Sequence, residues 1–228
     1  MNKKISYILI LLLPSCSNLL GPKSHGYSLG DGHPDPIGNS EIIDVDSFTE
    51  WKYYRITEDS LFHVSHVWGG DWSNSSAWDI AFQRYHIKTN SGLSGSWNAG
   101  AYVDSLKKWN GTRFNELDEI EPEFNYLSDT TLNTFYDSYN HEWITGIANP
   151  SLETWVSIDI NNDYSMTITN NKFIVRTSDG EEFYKIWMRN YSLEGITGNI
   201  ALIYDFICRL DICGICGGSA TSETECHD

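Results

Sequence analysis

The sequence predicts an all-β fold, a single antiparallel β-rich domain with one helix, on three observations. Aromatic residues make up 14 % of the 228-residue chain, including nine Trp and thirteen Tyr. Thr, Ser, Asn and Gly are plentiful, whereas runs of helix-favouring Ala or Lys are few, and both biases favour pleated strands. Short runs of apolar residues alternate with polar ones and are separated by turn formers, the pattern of half-buried strands.

In chain order, the first strand is expected from Ile42 through Ile43-Asp44-Val45-Asp46, with Trp51 to Ile56 continuing it. Phe62 to Trp68 is a second aromatic and β-branched run. Trp78 to Thr89 reads as one extended segment in which Trp78, Ile80, Phe82 and Arg84 share a face. If buried, Asp79 and Arg84 need partners; a polar knot supporting the following loop is the simplest role for them, and direct contact with a ligand is the alternative. Residues 90–100, rich in Gly and Ser, form that loop, and Ala101-Tyr102-Val103 follows it as a strand. The acidic, mixed stretch 115–140 is the segment expected to hold the helix. Trp155 to Ile160 alternates cleanly, and Ser165 to Thr169 and Lys172 to Thr177 make further strands. Ser178-Asp179-Gly180-Glu181 is a hairpin turn between Phe173–Arg176 and Glu182–Trp187. Leu202 to Ile207 is the last expected strand.

The N-terminus carries an export signal: Lys3 and Lys4 precede the apolar run Ile5 to Leu13, and Pro14-Ser15-Cys16 follows. A charged start, a short apolar core and a small residue before the cut are the parts of a cleaved leader. The run is too short to span a bilayer, which takes roughly 20 apolar residues. Leu13-Pro14-Ser15-Cys16 resembles a bacterial lipobox, which implies cleavage before Cys16 and acylation of its thiol by chains such as palmitate. No Asp follows Cys16, so an outer-membrane address is expected. Residues 1–15 are thus read as signal peptide, 16–41 as a lipidated flexible spacer rich in Gly and Pro, 42–207 as the β domain and 208–228 as a cysteine-rich tail.

The net charge of −16 makes nucleic acid an unlikely partner, because such a chain repels phosphate backbones. No GxSxG, HExxH or Cys-His nucleophile pattern occurs, and carboxylates are too abundant for any pair to indicate a glycosidase, so a non-enzymatic role is expected. His63 and His66 would point to opposite faces of a strand, and Asp159 to Asp163 lacks the turn glycine of a calcium loop. After Cys16 the remaining cysteines cluster as Cys208, Cys213, Cys216 and Cys226. Two disulfides of open connectivity are expected in an oxidising compartment, with a zinc knot or a redox CxxC as alternatives.

Trp78-Asp79-Ile80-Ala81-Phe82-Gln83-Arg84-Tyr85-His86-Ile87-Lys88-Thr89-Asn90-Ser91-Gly92, then Ser94-Gly95 and Gly100-Ala101-Tyr102, resembles the central signature of the HmuY family. Lys172 to Gly180 does so as well, and the likeness extends over about residues 45–206. The tail around Cys213-Gly214-Ile215-Cys216-Gly217-Gly218 resembles the short CGxCGG segments appended to some bacterial surface proteins. The family resemblance implies a lipoprotein that binds haem taken from carrier proteins and delivers it to a TonB-dependent outer-membrane receptor. The alternative is a surface adhesion or assembly module that keeps the fold without haem.

The resemblance also implies axial ligation by His or Met from the second half of the domain. That half holds His141, Met166 and Met188, and the family's strand Trp155 to Ile160 is followed by Asn161-Asn162 with no His. His141 with Met166 is therefore the expected pair, with Tyr136, Tyr139, Trp143 and Trp155 available to flank the ring. Lys107, Lys108 and Arg113 are the cations expected near the propionates. His86, in the first half, is expected to play no part.

Overall fold

The computed structural model describes residues 32–226, apart from 122–123, 138–139, 160, 163–164 and 194–195. Cys16, Tyr139 and His227 lie outside the described residues. The fold is all-β with one short helix, as the composition predicts. Its elements are β1 (Asn39–Asp44), β2 (Lys52–Ile56), β3 (Leu61–Val64), β4 (Ile80–Gln83), β5 (His86–Thr89) and β6 (Gly100–Asp104). Then come α1 (Gly111–Glu116), β7 (Thr130–Asp137), β8 (Glu142–Ala148), β9 (Val156–Asp159), β10 (Ser165–Ile168), β11 (Lys172–Arg176), β12 (Glu182–Leu193) and β13 (Ile196–Arg209).

A five-stranded antiparallel sheet runs β1-β13-β12-β11-β6, and a four-stranded one runs β3-β2-β4-β5. Ile56, Ile80, Phe82 and Ile87 of the smaller sheet meet Phe173, Val175, Tyr184, Ile186 and Tyr204 of the larger in one core. The β7–β8 and β9–β10 hairpins are separate two-stranded sheets. The turn at residues 178–181 joins β11 to β12 as expected, with Gly180 at φ +86°, a conformation that glycine adopts without steric cost.

Five expectations change. Trp51 to Ile56 does not continue the first strand: β1 pairs with β13 in the larger sheet and β2 lies in the smaller one. The run from Trp78 to Thr89 is a hairpin, not one extended strand: Arg84 and Tyr85 form its turn, with Gln83 paired to His86 and Arg84 at φ +54°. All four β4 residues are buried, because Ile80 and Phe82 face the main core while Ala81 packs with Trp78 in a second cluster. The alternation therefore marks two covered faces and does not place Arg84. The helix lies at the edge of the stretch assigned to it. Asn110 caps α1 by accepting the Arg113 N–H at 2.8 Å, and β-branched Thr130 and Thr131 open a strand inside 115–140.

The end of the predicted spacer is docked. Asn115 accepts the Ile37 N–H at 2.6 Å and donates to the Asp35 carbonyl at 3.1 Å, and Gly111 leaves room for the Pro34 carbonyl. The last strand, β13, also begins well before Leu202 and pairs along most of β12. At the C-terminus the cysteines form two disulfides, Cys208–Cys216 and Cys213–Cys226, which resolves the open connectivity and sets aside the zinc knot.

Candidate functional site

The polar groups of the signature segment divide into those that build the scaffold and those that face a cavity. Asp79, 2 % exposed, accepts the Ile56 N–H at 2.8 Å and the Ser178 N–H at 2.7 Å, so one carboxylate ties β2 to the β11–β12 turn. Burial raises its pKa while these backbone donors oppose the rise. Asp129 holds the backbone and hydroxyl of Thr89 together with the Asn149 amide beside the glycine-rich loop. Asp79 has the structural role expected of it, but Arg84 is not part of that knot, and the carboxylate beside the glycine-rich loop is Asp129, which the sequence did not single out.

Arg84 instead borders a cavity. Its left-handed turn puts the guanidinium 4.2 Å from the centre of the Phe48 ring and 5.8 Å from that of Tyr191, with one nitrogen donating to the Asp46 carbonyl at 3.3 Å. The cavity has a volume of about 240 Å³. Gln83, Arg84, Tyr85 and His86 form one wall, Phe135, Tyr136 and Ile144 of β7–β8 a second, and Ile158 and Met166 of β9–β10 a third. Phe48 and Tyr191 complete it. A neighbouring cavity of about 240 Å³ shares Tyr85 and Ile158 and adds Trp143 and Glu153.

His86 is held by a carboxylate and by a stacked ring. Its Nδ1 lies 2.9 Å from Oε2 of Glu153, and its ring stacks on Phe135 with centroids 3.6 Å apart. Glu153 is itself held by the Ile87 N–H at 3.0 Å and the Thr134 hydroxyl at 2.7 Å. An ionised carboxylate only accepts hydrogen bonds, so the proton of a neutral His86 belongs on Nδ1 and Nε2 is bare. Beside it, burial and the Glu153 charge push the Tyr85 hydroxyl up to about 12, so the phenol stays protonated at neutral pH.

Of the residues expected at the site, Met166 lines the cavity and packs against the main core. His141 sits on the turn between β7 and β8, exposed and at φ +56°, and does not line it. Tyr136 lines this cavity and Trp143 its neighbour, whereas Trp155 is fully buried and donates from Nε1 to the Tyr85 carbonyl at 2.7 Å. Lys107, Lys108 and Arg113 are exposed around the start of α1 rather than at the cavity, and Arg113 bonds the Lys108 carbonyl at 2.9 Å. Sequence reasoning missed Phe48 and His86 as cavity residues and ranked ligand contact by Arg84 behind a structural role. For Arg84 and His86 the signal was the density of mixed polar and aromatic residues in the signature, and Phe48, outside it, had none.

A family model described as HmuY protein matches residues 47–204. The chain belongs to the HmuY family. Solved structures with the HmuY-like fold include a Bacteroides vulgatus ATCC 8482 protein described as HmuY-like and heme binding, 20 % identical, with a TM-score of 0.56 over 76 % of this chain and 93 % of that one. A Bacteroides fragilis NCTC 9343 protein described as a lipoprotein is 19 % identical, with a TM-score of 0.55 over 74 % and 88 %. The apo HmuY analogue of Tannerella forsythia is 18 % identical, with a TM-score of 0.52 over 78 % and 100 %. No curated protein matches the sequence. At these identities the HmuY-like structures share the fold with this chain, and the site rests on its own residues.

Proposed function

We propose that the chain is a non-enzymatic haem-binding lipoprotein that takes up haem at the Met166 cavity and passes it to a TonB-dependent outer-membrane receptor. The observation that carries this reading is the content of that cavity, an imidazole and a thioether gathered among aromatic walls. Both are axial donors for haem iron, so the donor set fits the group. Tyr85, Phe135, Tyr136 and Tyr191 offer ring faces to a flat macrocycle, and the Arg84 guanidinium offers a partner for a propionate. Haem supplies the iron; this chain supplies ligands, apolar walls and a counter-charge.

At about 240 Å³ the cavity is smaller than the roughly 300–1,000 Å³ of most small-molecule sites, so uptake requires its walls to part. The β7–β8 and β9–β10 hairpins are the walls free to do so. Each is a two-stranded sheet, the least self-sufficient unit of β structure. Acyl chains on Cys16 hold the protein at the outer membrane, where carrier proteins and a receptor are within reach.

Haemin added to purified protein should raise a Soret band that saturates at equimolar haem, in the ferric and the ferrous state. No band in either state overturns the reading and leaves the adhesion or assembly alternative. Independently, Cys16→Ser should release the protein from the membrane fraction, and unchanged fractionation would refute the lipid anchor.

A further inference from the structure

We propose that His86, through Nε2, supplies the imidazole ligand to the haem iron in this chain, with Met166 as the second donor from the same cavity. The inference rests on the haem-binding reading and narrows it to a residue that sequence reasoning had set aside.

Three observations carry it. First, Nδ1 of His86 lies 2.9 Å from the Glu153 carboxylate, which is pinned in turn by Ile87 N–H and the Thr134 hydroxyl. Metal-bound histidines characteristically give their other ring N–H to a carboxylate, which fixes the tautomer and raises the basicity of the ligating nitrogen. Here Glu153 is placed to be that carboxylate. Second, no described residue hydrogen-bonds Nε2, although the side chain is only 6 % exposed and borders the cavity. A buried imidazole at a cavity wall, with one nitrogen anchored and the other left without a protein partner, is a preorganised donor. Third, the ring cannot turn away easily, because Phe135 stacks on it at 3.6 Å and Tyr85 lies 4.0 Å from it.

The other described histidines lack this combination. His33 bonds Thr112 and Asn110 at α1, and His63, His66 and His141 are exposed outside the cavity lining. A purely structural role, with His86 serving only to join Glu153 to Phe135, predicts a loss of stability but no effect specific to the iron.

The test compares full-length wild type with His86→Ala, Glu153→Gln and His141→Ala, each checked for folding by thermal melting. His86→Ala should lose the low-spin haem spectrum and bind haemin at least about tenfold more weakly, and Glu153→Gln should weaken binding about tenfold. His141→Ala should leave both unchanged. Added imidazole should restore the low-spin spectrum of His86→Ala, which rescue of a structural residue would not do. Should His86→Ala fail to fold, the ¹⁵N spectrum of haem-free wild type decides: a proton on Nδ1 of His86 supports the assignment, and a proton on Nε2 overturns it. A His86→Ala protein with wild-type affinity and spectrum overturns the ligand assignment while haem binding stands. No Soret band in wild type overturns both.

Discussion

Gly146 and Phe135 compete for one space: a β-carbon at 146 would overlap the Phe135 ring, the same ring that stacks on His86. The pairing of β7 with β8 is irregular just there, between Leu132 and Phe135, and this brings the ring over the glycine. Gly146→Ala should therefore displace Phe135 into the cavity, costing about 1–3 kcal/mol of stability as overpacking does. Haem uptake should weaken in parallel. Denaturant melts and haemin titrations of the variant check both, and unchanged uptake would mean that Phe135 does not shape the haem site.

Asp129 carries a pH dependence of known sign. It is 3 % exposed, and burial pushes its carboxyl from 3.8 up to about 6 despite donors from Thr89 and Asn149. A folded pKa above the unfolded one means that its contribution to stability is fully present below 3.8 and is lost as pH rises towards about 6. A shift of this size is worth at most about 3 kcal/mol. The melting temperature of wild type relative to Asp129→Asn should fall across that window and level off above it. An offset independent of pH would show that the buried carboxylate ionises without penalty.

Much of this fold is legible in the sequence where a turn motif or a wet face marks an element. The β11–β12 hairpin is announced by its turn, Ser178-Asp179-Gly180, although β11 is buried on both faces, and Trp155 to Ile160 alternates because β9 is covered on one side only. Legibility fails where both faces are covered and no turn motif marks the end. β4 keeps its alternation but buries all four residues, so its end at Arg84 leaves no mark, and Arg84 takes a left-handed turn without the usual Asn or Gly. In the candidate site, Met166 was expected from the family resemblance, and it lines the cavity. His86 was not, since its meaning comes from Glu153, 67 residues away, and from a ring on another hairpin.

The two disulfides interleave along the chain, Cys208–Cys216 and Cys213–Cys226, so non-reduced peptide mapping should find these pairs and no zinc. Cys208 is 5 % exposed on β13, packed with Phe183, Ile174 and Ile207, whereas Cys226 is exposed. Replacing Cys208 and Cys216 together with Ala should cost about 3 kcal/mol through loop entropy and lost packing. Replacing Cys213 and Cys226 should cost less and leave haem binding unchanged. Equal costs for the two pairs would show that the tail does not depend on its seat in the β13 cluster.

Met166 and Ile158 are cross-strand partners in the β9–β10 hairpin, and both line the cavity, so the thioether enters the site from a wall rather than from a loop. Met166→Leu nearly conserves volume and should change stability by less than about 1.5 kcal/mol, which isolates the sulfur from the packing. A thioether favours ferrous over ferric iron and raises the potential of a haem that it ligates. The Leu variant should therefore lose ferrous affinity more than ferric affinity, and its midpoint potential should drop by on the order of 0.1 V. Spectroelectrochemical titration of the haem-loaded wild type and variant measures the difference. A potential unmoved by the substitution would leave Met166 as a wall of the cavity and hand the second axial position to another group.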